Sequence, residues 1–406
     1  MNLHKEETQV TLQTREDPKT SVARTIDNLR PGLVQMSDFI FDHPETGLQE
    51  VQACALLCGY LESQGFAVER GYAGLPTAFR AVHRVGRGGP RIGLLGEYDA
   101  LAGLGHACAH HLQGPSVIGA AVAIKDRVTD RPYTLEVIGT PAEETIGGKV
   151  LMLEHGAFKD LDVALMMHGC DVTQVELKSL ALSEFLVTFH GVSTHAAIAP
   201  EDGRSALDAL MLAFSGLAFL RGHVRDDTRI HGIIEQGGKV VNAIPDLASA
   251  RIEVRSYDRP YLDQVIERVK RICDGAALMT DTRYTWEKTT EFHNKIPVRT
   301  LNDLVMRNAE QAGAKAITPP REKTGSTDFA SVMYHVPGTC INVPFVDPGI
   351  GPHTQGYLDR GKSREAHDAL ALAAKILAMT VVDLLQDPAL LAAVKEDFRR
   401  EKAGQP

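Results

Sequence analysis

The sequence predicts an α/β domain, a mixed sheet flanked by helices, interrupted by a smaller α+β domain. Three observations carry that expectation. Short apolar strands alternate with helical stretches between residues 91 and 167, the order of a layered α/β domain. The texture changes near Leu180 and returns after about residue 293. The length of 406 residues also exceeds one domain of roughly 150 residues. The expected boundaries are 1–180 with 293–406 for the larger, discontinuous domain and 181–292 for the insertion.

In chain order, residues 1 to about 20 read as a loose arm. From 21 to 66 apolar residues recur at helical spacing: Val34, Met36, Phe39 and Ile40, then Ala53, Leu56, Leu57, Tyr60 and Leu61. His43-Pro44-Glu45-Thr46-Gly47 divides that stretch, because Pro and Gly interrupt helices. Residues 91–96 read as a buried strand, and 97–111 as a loop rich in polar ligand types. A helix of small residues follows at 116–125. Strands are expected at 135–139 and 163–167, with a helix around 149–155 between them. In the insertion, strands at 185–189, 230–234 and 248–255 and amphipathic helices at 205–219 and 260–273 suggest two β-α-β units. A helix at 301–312, a strand at 339–343 and helices at 366–385 and 389–400 return to the first domain.

Composition narrows the function classes. Hydrophobic residues make up 44%, enough for a large core and too many for a disordered chain. The formal net charge of -9 disfavours nucleic acid as a partner, which calls for a basic face. No apolar run reaches the length of a membrane span, so no membrane partner is expected. The polar N-terminus, MNLHKEETQV, lacks the apolar core of a signal peptide. The six cysteines are scattered and read as reduced thiols. A cytoplasmic location is the matching expectation.

The chemistry concentrates in four places. Gly105-His106-Ala107-Cys108-Ala109-His110-His111 follows a strand. A thiolate and imidazoles suit a zinc- or manganese-type ion, although Cys and His alone are often plain core residues. Ala142-Glu143-Glu144 sits at the C-terminal end of another strand, where open α/β sheets place their ligands. One carboxylate can bind metal while its neighbour moves a proton; a bare Glu-Glu is more often a solvated turn. Met167-His168-Gly169 ends a third strand, and Gly351-Pro352-His353-Thr354 lies in a Gly/Pro loop. The set makes about five candidate ligands, enough for one or two ions with open positions. In the insertion, His195 and Asn242 beside glycine-containing loops are either turn residues or substrate contacts reaching in from a lid.

The stretches FDHPETGLQE, GEYDALAGLGHACAHH, GTPAEETIGGK, ALMMHG, FHGVSTHAAIAP, GGKVVNAIP, GSTDF and PHTQGY resemble the aminoacylase, aminobenzoyl-glutamate hydrolase and carboxypeptidase G family of metallopeptidases. The match runs in order from about residue 30 to 385. The resemblance implies a catalytic domain holding two divalent ions, manganese or zinc, and a lid domain that mediates homodimerisation. It implies Cys108, His110, Glu144, His168 and His353 as metal ligands and Glu143 as general base and acid. It implies His195 as the oxyanion stabiliser, often across the dimer, and Asn242 as a substrate contact.

Departures at three places flank these positions. Ala109 stands where the family has glycine, and His111 where it has an acid or amide. Thr145-Ile146 replaces a glycine run, and Gly169 replaces proline. His111 is therefore a candidate substrate contact, against the plainer reading of an outer hydrogen bond. The leading expectation is metal-dependent hydrolysis of a C–N bond, an amide of an N-acyl or aminobenzoyl amino acid or a dipeptide. The first alternative is hydrolytic deamination of an electron-poor aromatic amine, as in the 5-nitroanthranilate aminohydrolase type. The second is a non-catalytic metal- and ligand-binding relative, disfavoured because it has no use for Glu143.

Overall fold

The computed structural model describes residues 16–404, so most of the arm expected at the N-terminus lies outside the described residues. Helix α1 (Pro18–Asp42) starts where the Asp17 carboxylate accepts the Thr20 amide, a side-chain cap with Pro in the first turn. It ends at the expected break, and α2 (Val51–Ser63) follows. Next come β1 (Ala67–Arg70), β2 (Phe79–Val85), β3 (Arg91–Gly96), α3 (Gln113–Arg127), β4 (Tyr133–Gly139), α4 (Gly148–Glu154), β5 (Val163–Cys170) and β6 (Gln174–Ser179). The middle segment holds β7 (Ala181–His190), α5 (Ala206–Leu220), β8 (Arg229–Gln236), β9 (Leu247–Ser256), α6 (Arg259–Thr280) and β10 (Arg283–Phe292). The chain closes with α7 (Arg299–Gln311), β11 (Arg321–Thr324), α8 (Phe329–His335), β12 (Gly338–Pro344), α9 (Gln355–Asp359), α10 (Arg364–Gln386) and α11 (Pro388–Ala403).

The larger sheet runs β1-β2-β4-β3-β5-β12-β6-β11. It is mixed, as the sequence predicts. β4, β3, β5 and β12 are mutually parallel, while β2 is antiparallel to β4 and β12 antiparallel to β6. Every residue of β4 is buried, the pattern of a strand covered on both faces. One face packs on α1, α3 and α10 through Leu33, Ile118 and Leu377. The other packs on α4 and α8 through Met152 and Phe329. Because the four central strands run in parallel, their C-terminal ends share one edge.

The middle segment forms a separate four-stranded antiparallel sheet, β10-β7-β9-β8. It has its own core, including Val187, Leu210, Ile252 and Val265. Each β-α-β half contributes two strands and one helix to that core. β8 is one of its two edges and leaves Ile233 and Ile234 exposed.

Strands β1, β2, β6, β10 and β11 have no counterpart among the elements expected from the sequence. β1, β10 and β11 are sheet edges, and β10 reads RYTWEKTTEF with mostly exposed or half-buried residues. Edge pairing needs little apolar alternation, so periodicity gives no signal there. All six cysteines are free. Among the described residues no helix is long and apolar enough to cross a membrane.

Candidate metal centre

The loops that follow β3, β4, β5 and β12 converge at the shared edge. The Thr140 amide donates to the Gly96 carbonyl at 2.9 Å, joining the ends of β4 and β3. The His353 amide donates to the Ala107 carbonyl at 2.9 Å, which ties the last loop to the first. Three residues at these junctions, Ala109, Ala142 and His353, each have φ of 62°. A left-handed conformation costs a residue with a side chain about 1–2 kcal/mol, and such outliers gather at functional sites. Ala109 lies between Cys108 and His110, where glycine, the residue the family resemblance leads one to expect, would adopt this conformation without that cost.

The five donors expected from the sequence are brought together. Cys108, His110 and His168 offer ligand atoms within 4.8 Å of one another, and so do Cys108, Glu144 and His353. Glu143 joins His110 and Glu144 in a further group. The Cys108 Sγ is 3.6 Å from His168 Nε2. His353 Nε2 lies 3.2 Å from Glu144 Oε1, and His110 Nε2 lies 3.9 Å from the same oxygen. That oxygen is buried and accepts no hydrogen bond. A buried carboxylate oxygen without a donor is costly. Two imidazoles and a thiol beside it fit a divalent cation of zinc or manganese type.

The imidazoles are held so that Nε2 faces the cluster. His110 Nδ1 is 3.0 Å from Asp99 Oδ1, and His168 Nδ1 donates to the Gly169 carbonyl at 2.7 Å. Such partners fix tautomer and ring orientation. The other Asp99 oxygen accepts the Glu144 amide at 2.9 Å, so one carboxylate braces two donors. Tyr357 donates to the same Gly169 carbonyl at 2.6 Å. Burial pushes the Cys108 thiol up to about 12; binding a metal deprotonates such a thiol outright. Burial raises the Glu143 carboxyl well above its usual range, and the charges of Glu97 and Asp328 add to it. Burial lowers His168 and works against the proton on His110, which Cys108, Glu97 and Asp99 nevertheless hold well up.

A cavity of about 300 Å³ opens over the cluster. Cys108, Glu143, Glu144, His168 and His353 line one part of it, and Glu176, Lys295, Arg321 and Asn342 another. A larger cavity of about 760 Å³ lies elsewhere on this domain and contains none of the five donors.

His110 belongs to the donor cluster without lining that cavity, and three further expected site residues are in neither the cluster nor the cavity. His111 is fully buried, donates from Nε2 to the Gly361 carbonyl at 2.8 Å and packs edge-on against Phe41. Burial lowers its pKa to about 3, so the ring is neutral. The expectation of a substrate contact from His111 is therefore corrected: the tight turn at His110–Leu112 sends neighbouring side chains to different sides. His195 and Asn242 lie together on exposed loops of the middle segment, where the Ala196 amide donates to the Asn242 carbonyl at 2.9 Å. Neither lines the cavity. Conversely, Glu97, Asp99, Lys149 and Asp328 build the surroundings of the cluster, and sequence reasoning assigned them no role. Each stands in a stretch that carries the family resemblance, which was the available signal.

Two of the departures are coupled. A Cβ on Gly169 would stand 2.9 Å from the Ala109 methyl and 2.8 Å from the Phe345 ring. The Ala109 methyl thus occupies space beside residue 169 that a side chain there would need. Gly169→Ala is expected to cost about 1–3 kcal/mol by overpacking, and adding Ala109→Gly should return part of it. Thermal melts of both single variants and the double variant check this; purely additive costs would show that the positions are independent.

Comparison with known proteins agrees over most of the chain. Residues 181–280 match the peptidase dimerisation domain family. The chain is 34% identical to the Xaa-Arg dipeptidase of Mus musculus, over 94% of this chain and 92% of the relative. It is 29% identical to one of the p-aminobenzoyl-glutamate hydrolase subunits of Escherichia coli, over 93% of this chain and 94% of the relative. Its fold matches a dinuclear metal binding peptidase from the M20 family of Bacillus subtilis with a TM-score of 0.68 at 21% identity, covering 89% of this chain and 99% of that one.

Proposed function

The chain belongs to the M20 family of metallopeptidases, metal-dependent hydrolases of amide bonds, and on that premise we propose how its own residues carry the reaction. Cys108, His110, Glu144, His168 and His353 hold two divalent ions, manganese or zinc. Cys108 belongs to two of the groups of three, one with His110 and His168 and one with Glu144 and His353, and between them these two groups contain all five residues that would hold the ions. When bound, the ions lower the pKa of water and polarise the scissile carbonyl.

Glu143 takes the proton of the attacking water and delivers it to the leaving nitrogen. Asp99 keeps His110 and the Glu144 backbone in place. The substrate is a dipeptide or an N-acyl or aminobenzoyl amino acid. Relatives named for such amides match more than nine-tenths of the chain, which favours the amide over an aromatic amine. The observation that carries the reading is the convergence of the five donors around the orphaned Glu144 Oε1. Hydrolysis of a panel of dipeptides and N-acyl amino acids in oxygen-18 water tests it: label is expected in the new carboxylate. Label in a phenol, with ammonia released from an electron-poor arylamine, would overturn it.

His195 and Asn242 act on a substrate in the centre of a second protomer. They lie on exposed loops outside their own chain's cavity, so within one chain they have no described contact with it. The middle segment also offers a surface for pairing. Met211 and Phe219 on α5 and Ile233 and Ile234 on the edge strand β8 are exposed. Exposed apolar side chains and an unpaired strand edge mark a contact surface. Mixing inactive His195→Ala with inactive Glu143→Gln is expected to restore partial activity through heterodimers, each with one intact centre. No recovery after verified exchange of protomers would contradict sharing.

A further inference from the structure

Beside the five donors a second convergence of acids needs an explanation. Carboxylate oxygens of Glu97, Glu143 and Asp328 lie within 4.8 Å of one another. Glu97 follows β3, Glu143 is on the loop after β4, and Asp328 immediately precedes α8. Three acids this close, two of them buried, repel strongly unless a cation sits among them or one takes up a proton. The chain provides one. Lys149 Nζ donates to Glu97 Oε1 at 2.5 Å and to Asp328 Oδ1 at 2.8 Å, and the Lys149 amide donates to Asp328 Oδ2 at 3.0 Å. Lys149, Glu97 and Asp328 are each at most 1% exposed. The second Glu97 oxygen accepts from Gln113 Nε2 at 2.7 Å and faces His110 Nε2 at 3.2 Å. The network therefore connects to the metal centre on one side and to the base on the other.

We propose that Lys149 is a positioning residue: its ammonium fills what would otherwise be a further cation site and so keeps Glu143 from being captured as a metal ligand. The inference rests on the reading of the centre given above. An oxygen-ligated divalent ion among the same three acids would draw their oxygens to roughly 2.0–2.6 Å. A base bound that way cannot shuttle a proton. A lysine ammonium offers three donors, and here it bonds to Glu97 and Asp328. It fixes the two flanking acids and carries one positive charge where a divalent ion would carry two. The backbone supports this placement. Lys149 is in the first turn of α4, and a Cβ at the preceding Gly148 would lie 1.9 Å from the Pro141 carbonyl oxygen. The helix thus starts hard against the loop that bears Glu143.

The test is metal content per chain, with kcat as a second readout, for wild type, Lys149→Met and Lys149→Arg purified in manganese. Lys149→Met should bind one more ion per chain than wild type. Its melting temperature should rise more steeply with added manganese, and its kcat should fall at least ~10²-fold. Lys149→Arg keeps the charge and should keep the wild-type ion count. Lys149→Met with an unchanged ion count beside a metal-loaded wild type would overturn the proposal. So would a Lys149→Met chain that fails to fold even in millimolar manganese, because the ion then cannot take the place of the ammonium. A wild-type chain that binds no ion at all would instead fail the reading of the centre.

Discussion

Glu143→Gln is expected to lower kcat at least ~10²-fold, about 2.7 kcal/mol of barrier, with the metal content unchanged. The two residues of the acid pair are expected to do different work although they are adjacent. Glu144 turns its orphaned Oε1 toward His110 and His353, and its amide is fixed by Asp99. Glu143 faces Glu97 and Asp328 as well as the donors. Burial and those two neighbouring charges raise its proton affinity, which suits a group that must accept a proton and hand it on. Glutamine preserves the shape and cannot do so. Glu144→Ala should instead lower metal occupancy. Steady-state kinetics with elemental analysis of both variants separates the roles. Loss of metal in Glu143→Gln with full metal in Glu144→Ala would reverse the assignment.

The candidate centre was legible because its donors stand in short, recognisable runs in or after the strands β3, β4, β5 and β12. The parallel strands β3, β4 and β5 were visible as apolar stretches, with Glu143 and Glu144 in the loop after β4 and His168 near the end of β5. Cys108 and His110 were legible as a pair two residues apart. What could not be read was direction. His110 and His111 are neighbours in the chain, yet a single tight turn puts one in the cluster and the other against Phe41 and Gly361. Lys149 was equally opaque, because its partners Glu97 and Asp328 are 52 and 179 residues away. Such a network exists only after the sheet is assembled. The coupling of Ala109 with Gly169 is of the same kind: each departure alone looks like a loss of pattern, and only their contact shows that one methyl is accommodated by the missing Cβ of the other.

Removal of the metal should abolish turnover altogether, because Glu143 and the imidazoles alone have no group able to activate water to the same degree. The apoprotein should remain folded. Its core clusters draw on every layer of both sheets, unlike a small domain that depends on its ion. The most direct measurement is stepwise return of manganese or zinc to protein stripped of metal, with bound ions and dipeptide hydrolysis followed together in the same sample. The expected result is no hydrolysis in the stripped protein and full recovery as two ions per chain are bound. Full hydrolysis by protein shown to be metal-free would contradict the account.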